Sequence, residues 1–359
     1  MVVPVLNEHD NIEPLLTRLS FVLAGIQWEA IFVDDGSTDG TPELIESIGR
    51  GDRRVRLIRR FGRRGLSSAV VEGFLSSVAP VLAVMDGDMQ HDETLLPSLY
   101  EAITQQGQDL AIGTRYTAGG SIGNWSVARS RISRWATWIA RPVIRTPLSD
   151  PMSGFFMIRR ETLLEAVPNL SAIGYKILLD IVASSPRPLR FTELPYVFRS
   201  RVAGTSKLDA IIVVEYIELL LDKIVGRIVP VRLILFSVVG LFGATVHFST
   251  LWATTTWASM KFIEAQSIAV AVAMTFNYVL NNRFTYRDQR LRGWAWWRGY
   301  VSFVLACSVG ALANVGVGAF IFDVMGHSLW MGGLAGVMVG TVWNYAATRW
   351  LTWTRRRPS

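Results

Sequence analysis

The chain of 359 residues contains a single cysteine, Cys307, which lies inside a long apolar segment. One cysteine excludes a disulfide framework within the chain and a cysteine-based metal site. The first 208 residues lack any apolar run of the roughly 20 residues that cross a bilayer. Their short apolar stretches are broken by Gly, Asp and Pro, as in a soluble α/β domain. The opening "MVVPVLNE" passes directly from strand-like to polar residues, so no signal peptide is expected.

Long apolar blocks occur only in the second part of the chain. Four of them follow in succession, at residues 232–257, 262–284, 299–325 and 329–353. Blocks of this length with Trp and Tyr at their ends are typical of membrane spans. We therefore predict a soluble domain over residues 1–208, amphipathic juxtamembrane helices over 209–231, and a four-helix transmembrane domain over 232–359.

Positive charge is concentrated at the ends of these blocks. The net charge of +7 would be compatible with nucleic-acid binding, but this clustering favours anionic lipid head groups instead. The clusters are Lys223, Arg227, Arg232, Arg283, Arg287, Arg290, Arg292, Arg298, Arg355, Arg356 and Arg357. By the positive-inside rule, the soluble domain and both termini face the cytoplasm, which needs an even number of spans. We predict a multi-pass protein of the cytoplasmic membrane.

Strand-like and helix-like segments alternate in the first 208 residues. "WEAIFV" precedes "DDGSTDGTPE", "VRLIRR" precedes "GLSSAVVEGFLSS", and "PVLAVMDGD" precedes "DETLLPSLYEAITQQ". This alternation predicts a mostly parallel sheet, whose ligands bind at the carboxyl ends of the strands. Two carboxylate pairs, Asp34 with Asp35 and Asp86 with Asp88, follow predicted strand ends.

Asp86 and Asp88 flank Gly87, which lets the chain turn closely around a ligand. Hard oxygen donors suit Mg²⁺ or Mn²⁺ bound to a diphosphate, with the substrate completing the coordination. An isolated D-x-D sequence is more often a plain turn, so the neighbouring motifs must decide between the two interpretations.

Those motifs occur in a fixed order along the soluble domain. They are "PVLNE", "DDGSTDGT", "GLSSAVVEGF", "MDGDMQH", "GTRY", "DPMSGFF" and "FRSRVAGTSKL". Together they resemble the family 2 inverting glycosyltransferases, and within them the polyprenyl-phosphate sugar transferases typified by dolichol-phosphate mannose synthase. The resemblance implies an α/β, GT-A-like domain that binds a nucleotide sugar. The apolar part resembles the small GtrA-like membrane domain.

The resemblance also implies roles for individual residues. The nucleoside would be surrounded by Pro4, Leu6, Glu8, Val33 and Asp35. The metal and the diphosphate would be held by Asp86, Asp88 and Gln90, with Gly87 between them. The acceptor phosphate would be clamped by Arg115, Arg129 and Ser133. The sugar and diphosphate would be covered by Lys176, Arg201 and Lys207. Asp88, Arg115, Arg129, Ser133 and Arg201 would carry catalysis.

Two positions depart from the family pattern. Leu6 stands where many relatives have an aromatic residue, which puts stacking on the nucleobase in doubt. Gly87 stands where alanine is usual, and it preserves the turn.

Several of these assignments have a structural alternative. Arg129 is also compatible with a solvated or lipid-facing helix position, and Arg201 and Lys207 with a plain basic surface loop. The segments "WSVARSRISRWATWIARPVI" and "LDAIIVVEYIELLLDKIVGRIV" are either interfacial helices or helices that pack on the soluble core. "TFNYVLNNRFTY" and "TVWNYAATRWLTW" form a faint repeat, whose Asn277 and Asn344 either pack helices or contact a lipid phosphate.

The chemistry of such a transfer fits these residue types. The departing diphosphate needs a divalent cation and Arg or Lys donors to stabilise its charge. A phosphate-monoester acceptor is already anionic near neutral pH, so it needs clamping and no general base. Attack opposite the leaving group inverts the anomeric centre. Mannose from GDP-mannose transferred to dolichyl or polyprenyl phosphate is the leading prediction.

Other functions remain in competition with this one. UDP-glucose is the alternative donor. A processive polysaccharide synthase is disfavoured because the chain lacks the Q-x-x-R-W motif, and "QRLRGW" lies in a membrane loop instead. A lipid-carrier transporter with a vestigial transferase domain is the alternative from another class. The sequence leaves the oligomeric state open, including a homo-oligomer.

Overall fold

The computed structural model describes residues 1–62, 65–121, 138–199, 210–226, 228–321 and 329–353. The chain divides into two compact units, Met1–Ile224 and Val225–Ser359. The domain boundaries predicted from the sequence, after residues 208 and 231, stay a prediction.

The first unit alternates strands and helices. Its strands are β1 Val2–Val5, β2 Ala30–Asp34, β3 Val55–Arg59, β4 Val81–Val84, β5 Leu110–Thr114, β6 Phe156–Arg159 and β7 Phe191–Pro195. The helices within the described ranges are α1 His9–Val22, α2 Thr41–Gly51, α3 Leu66–Leu75, α4 Leu96–Thr104, α5 Arg160–Ala166, α6 Ile177–Ser184 and α7 Ala210–Val225.

All seven strands form one sheet in the order β3-β2-β1-β4-β6-β5-β7. β6 runs antiparallel to β4 and β5, and the other neighbours are parallel. The predicted α/β class with a mostly parallel sheet is confirmed. Because β6 is reversed, its amino end lies at the same edge as the carboxyl ends of the other strands. Segments distant in sequence therefore meet at that edge.

β2 shows why the sheet is buried on both faces. Ile31 and Val33 pack into one apolar cluster, while Ala30 and Phe32 pack into the other, and all four are 0% exposed. Successive side chains of a strand point to opposite faces, so a strand covered on both faces reads as a continuous apolar run. The segment "WEAIFV" has this pattern, and helices cover both of its faces.

α7 presents two different apolar faces. Leu219 and Leu220 are buried in a cluster with Leu179 of α6, so this face packs on the soluble unit. The ion pair between Lys223 Nζ and Asp180 Oδ1, 2.6 Å long, fixes the same contact. The alternative of core packing is thus correct for this face. Val213, Ile217 and Ile224 remain 50%, 44% and 63% exposed elsewhere on the helix.

The second unit is helical within the described residues. Its helices are α8 Val231–Thr256, α9 Phe262–Leu280, α10 Trp294–Ala319 and α11 Leu329–Leu351, and a π-helical turn Asn281–Thr285 extends α9. α8 and the segment Phe262–Thr285 are long and apolar enough to cross a membrane. The predicted number of four spans stays a prediction.

The faint sequence repeat corresponds to a structural duplication inside this unit. Phe236 of α8 packs edge-on against Tyr345 of α11, with ring centroids 5.9 Å apart. The equivalent pair, Phe303 of α10 and Tyr278 of α9, lies 5.5 Å apart. The pair α8 and α9 contributes Phe236 and Tyr278, and the pair α10 and α11 contributes Phe303 and Tyr345. Each pair therefore supplies one phenylalanine and one tyrosine to its contacts with the other pair.

The two repeated asparagines also occupy equivalent places. A Cβ atom added to Gly243 would lie 2.1 Å from Asn277 Oδ1, and one added to Gly310 would lie 1.9 Å from Asn344 Oδ1. Each asparagine therefore packs against a glycine of the neighbouring helix. These contacts agree with the helix-packing role of Asn277 and Asn344.

Candidate active site

The predicted nucleoside residues follow β1 and β2, which are neighbours in the sheet. The parallel register pairs Pro4 with Val33. Val33 is 0% exposed and belongs to the core, whereas Leu6 is 42% exposed at the edge. The backbone N–H of Glu8 donates to Thr41 Oγ1 at 3.0 Å, which joins this loop to the start of α2. The structure thus gives Val33 a packing role and leaves the side chain of Leu6 accessible.

Asp35 is tied to the loop that follows β3. Its Oδ1 accepts from Arg60 Nη1 at 2.7 Å, and its Oδ2 accepts from the Gly65 N–H at 2.8 Å. Burial raises the pKa of Asp35 above its ordinary value, against the opposing effect of these hydrogen bonds. Arg60 is 3% exposed. Sequence reasoning gave no role to Arg60, although "VRLIRR" placed it just after a predicted strand.

The loop after β4 carries the paired carboxylates. Asp88 is buried and its Oδ1 accepts from the Gln90 N–H at 3.2 Å, while the Asp86 side chain is 35% exposed. A Cβ on Gly87 would lie 3.1 Å from a methyl carbon of Val5, so glycine lets the loop approach β1 closely. The residue of this turn that has a positive φ is Met89, at 61°, and not Gly87.

Gln90 links this loop to the segment after β7. Its Nε2 donates to the Arg199 carbonyl at 3.0 Å, and the Arg199 N–H donates to the Gln90 carbonyl at 3.0 Å. The Arg199 guanidinium in turn binds Glu93 at 2.6 Å and Asp92 at 2.8 Å. Arg199 stands at the start of "FRSRVAGTSKL", and sequence reasoning gave it no role. The candidate residues Arg201 and Lys207 lie outside the described residues, as do Arg129 and Ser133.

Arg115 follows β5 and forms a buried bidentate ion pair with Asp150, which precedes β6. Its Nε donates to Asp150 Oδ2 at 2.8 Å and its Nη2 donates to Oδ1 at 2.9 Å. Burial acts to lower the pKa of Arg115, but the hydrogen bonds and charge of Asp150 raise it above its ordinary value. "DPMSGFF" contained Asp150 without indicating its partner.

His91 closes the paired-carboxylate loop from inside the protein. The Asp86 N–H donates to its Nδ1 at 3.3 Å. Burial, and next the charge of Arg115, lower the pKa of His91 to about 3. The ring is therefore neutral at physiological pH. His91 also belongs to a quoted motif, but only the folded chain shows what it contacts.

Lys176 precedes α6 and lies near the start of α3. The carbonyl of Gly174, two residues earlier, accepts from the Ser67 N–H at 3.0 Å. Ser67 follows Gly65, which binds Asp35. These contacts bring the Lys176 segment to the side of the edge where Asp35 lies.

The oxygen donors at this edge are of the kind that a divalent cation binds. Among the described residues, no group of three or more His, Cys, Asp or Glu could hold a metal ion. Asp86 and Asp88 supply oxygen donors, the class that Mg²⁺ and Mn²⁺ prefer. Two carboxylates suit a cation whose remaining ligands come from a diphosphate. The residues therefore fit the predicted group.

Comparisons with known proteins cover both units. Residues 1–165 match the model "Glycosyl transferase family 2", and residues 235–353 match "GtrA/DPMS, transmembrane domain". A curated relative, the dolichol-phosphate mannosyltransferase of Pyrococcus furiosus, is 36% identical over 358 residues, which cover 98% of each chain. The enzyme of the same name from Saccharomyces cerevisiae is 37% identical over 66% of this chain and 90% of its own.

Similar solved structures include glucosyl-3-phosphoglycerate synthase from Mycobacterium tuberculosis. It superposes with a TM-score of 0.45 and 24% identity, covering 62% of this chain and 78% of that one.

Proposed function

Because the chain belongs to the dolichol-phosphate mannosyltransferases of glycosyl transferase family 2, we propose that it transfers mannose from GDP-mannose to dolichyl or another polyprenyl phosphate. The observation that carries the proposal is the relative matched along almost the full length of both chains, through both units. The sheet edge described above provides the residues for the reaction. The membrane domain accounts for a lipid acceptor.

The nucleotide sugar would lie along this edge of the sheet, between Leu6 at one end and the paired carboxylates Asp86 and Asp88 at the other. Asp86 and Asp88, with Gln90 beside them, would hold Mg²⁺ or Mn²⁺. The bound cation would offset charge on the diphosphate as it leaves. Lys176, Arg201 and Lys207 would add positive charge around the same group. Gln90 is hydrogen-bonded to Arg199, two residues before Arg201 in sequence, which supports a role for this part of the chain near the carboxylate loop.

The acceptor would be clamped rather than activated. A phosphate monoester has a second pKa near 6, so it is already a nucleophile at neutral pH. Arg115, Arg129 and Ser133 would hold it, and the fork formed with Asp150 fixes the orientation of the Arg115 guanidinium. Attack from the face opposite the diphosphate turns the α-linked donor into a β-linked mannosyl phosphate lipid.

The reaction would take place at the cytoplasmic face of the membrane. The four spans predicted from the sequence, with cationic residues in the loops of one predicted side, support this orientation. The exposed face of α7, with Val213, Ile217 and Ile224, supplies apolar surface that can lie in the membrane interface. A lipid phosphate held at the head-group level would reach the soluble unit along such a surface.

One assay tests this function. The detergent-purified chain is incubated with polyprenyl phosphate, Mn²⁺ and either labelled GDP-mannose or labelled UDP-glucose, and the lipid product is identified by mass spectrometry. We expect a polyprenyl β-mannosyl phosphate, and none when Mn²⁺ is replaced by a chelator. A glucosylated product from UDP-glucose would overturn the donor assignment. Absence of any product with either donor would favour the transporter alternative.

A further inference from the structure

His91 is held in an aromatic enclosure at the candidate site. It is 4% exposed, and its ring stacks on Phe155 with centroids 5.1 Å apart and planes inclined by 10°. The rings of Tyr196 and Phe198 meet it edge-on, each at 5.8 Å. These rings come from the segments before β6 and after β7. Tertiary packing therefore restrains the imidazole ring of His91 in one orientation.

The restrained ring lies beside Asp86. A backbone N–H can only donate, so Nδ1, which receives the Asp86 N–H at 3.3 Å, carries no proton. The proton of the neutral ring is therefore on Nε2, which lies 3.8 Å from Asp86 Oδ2. One side chain thus accepts from the main chain of Asp86 and lies beside its carboxylate, with the protonated nitrogen beyond hydrogen-bond distance of Oδ2.

The main chain at Gly154 also lies close to the Asp86 carboxylate. A Cβ added to Gly154 would lie 3.3 Å from Asp86 Oδ2 and 3.6 Å from His91 Cε1. There is little room for a side chain at position 154. The carboxylate therefore lies close to both the imidazole of His91 and the main chain at Gly154.

We propose that His91 is a positioning residue, which holds the Asp86 carboxylate in the direction needed to bind the divalent cation of the nucleotide-sugar site. The proposal rests on the proposed function, because that function requires the cation. His91 does not act as an acid, a base or a metal ligand. Its ring is enclosed by aromatic side chains, and its unprotonated nitrogen already accepts from the Asp86 N–H. Outer residues that orient metal ligands typically change metal affinity by roughly tenfold to a hundredfold.

The test compares His91→Phe with His91→Gln in the full-length protein in detergent. Phenylalanine retains a flat ring in the aromatic enclosure and removes both polar contacts. Glutamine loses the ring and restores an amide N–H donor near the position of Nε2. The matched control is His9→Phe, since His9 also contacts an aspartate, Asp10, but its side chain is 45% exposed.

Three quantities are measured for each variant: Mn²⁺ affinity in the presence of GDP by electron paramagnetic resonance, GDP affinity without metal by calorimetry, and Tm. For His91→Phe we expect Mn²⁺ affinity to fall roughly tenfold to a hundredfold. Metal-free GDP affinity should stay unchanged, and turnover should recover at high Mn²⁺. His91→Gln should regain part of the Mn²⁺ affinity, and His9→Phe should match the wild type.

The outcomes separate this inference from the proposed function. Wild-type Mn²⁺ affinity in His91→Phe overturns the positioning role. A parallel loss of Tm and metal-free GDP affinity in both variants also overturns it, because it would show a structural role alone. A wild-type chain that binds Mn²⁺ with GDP but transfers no mannose contradicts the proposed function and leaves the binding comparison intact. A wild-type chain that binds no Mn²⁺ overturns the positioning role, and the lipid product then decides the proposed function.

Discussion

The Arg115 guanidinium and the Asp150 carboxylate form a bidentate ion pair of 2.8 and 2.9 Å, with side chains 9% and 0% exposed. The pair joins the carboxyl end of β5 to the segment that enters β6 from the same edge. Glu193 of β7 supports this segment by accepting from the N–H of Ser149 at 2.8 Å. A fork of this kind fixes the plane of the guanidinium as well as its position.

Asp150→Asn should therefore destabilise the protein and lower its turnover. The substitution leaves Arg115 buried without its counter-charge, and breaking a buried pair from one side typically costs about 3–5 kcal/mol. Tm in detergent measures the effect on stability. Asp52→Asn is the control, because it removes an exposed ion pair with Arg54 and should change Tm little. If Tm changed by the same small amount in both variants, the ion pair of Asp150 with Arg115 would have no stabilising role.

Asp88→Asn should abolish most turnover while the protein stays folded. Asparagine keeps the shape of the side chain and an oxygen that can accept from the Gln90 N–H, but removes one charge from the cation site. Losing about 4 kcal/mol of transition-state stabilisation slows a reaction roughly a thousandfold. Turnover and Tm are measured side by side with Mg²⁺ or Mn²⁺ present. Activity near that of the wild type would remove Asp88 from the metal site.

The stability contributed by Asp109 should depend on pH. Burial acts to raise the pKa of this carboxyl, but hydrogen bonds from Arg187 and Arg190 outweigh it and lower the pKa below its ordinary value. The folded state then binds a proton less readily than the unfolded state, so the contribution is complete above about pH 4 and declines at lower pH. Asp109→Asn should lower Tm at pH 7, and the difference from the wild type should narrow below pH 4. A difference that is constant from pH 7 to pH 3 would refute this.

Arg129→Ala should weaken use of the lipid acceptor. Arg129 and Ser133 are four residues apart, so on a helix they would share one face, which can present a guanidinium and a hydroxyl to a phosphate. A hydrogen bond to a charged group contributes about 1.5–3 kcal/mol, so kcat/KM for polyprenyl phosphate should fall roughly tenfold to a hundredfold. Calorimetry with the nucleotide sugar is the control. If donor affinity falls and the lipid KM does not change, Arg129 belongs to the donor site.

The orientation of the chain in the membrane can be tested with tags. A tag after Ser359 should be cytoplasmic and a tag near His327 should be external, because cations cluster on one side of the predicted spans. Protease is added to sealed, right-side-out cells and cleavage of each tag is followed. Cleavage of the tag after Ser359 would show that the predicted orientation is wrong.

Local sequence patterns were sufficient to place most of the secondary structure at the site. The apolar run ending at Asp34 forms β2, and the run before Asp86 forms β4, because a strand covered on both faces needs consecutive apolar residues. The order of the motifs also indicated the family, which the comparison with full-length relatives confirms. The sequence also indicated that Gly87 lets the chain turn closely around a ligand. Its close approach to Val5 required the structure.

The sequence by itself therefore determined the α/β class, the loops that carry charge, and the apolar composition of the second part of the chain. These follow from side-chain periodicity and from the residues that end strands, which are local properties. Only the tertiary structure decided which charges are paired, Arg60 with Asp35 and Arg115 with Asp150, and that the His91 ring accepts from the Asp86 N–H. It also decided the reciprocal contacts of Phe236 with Tyr345 and of Phe303 with Tyr278. Such pairs depend on strand order, on the reversed β6 and on helix packing, and no local pattern encodes which distant segments become neighbours.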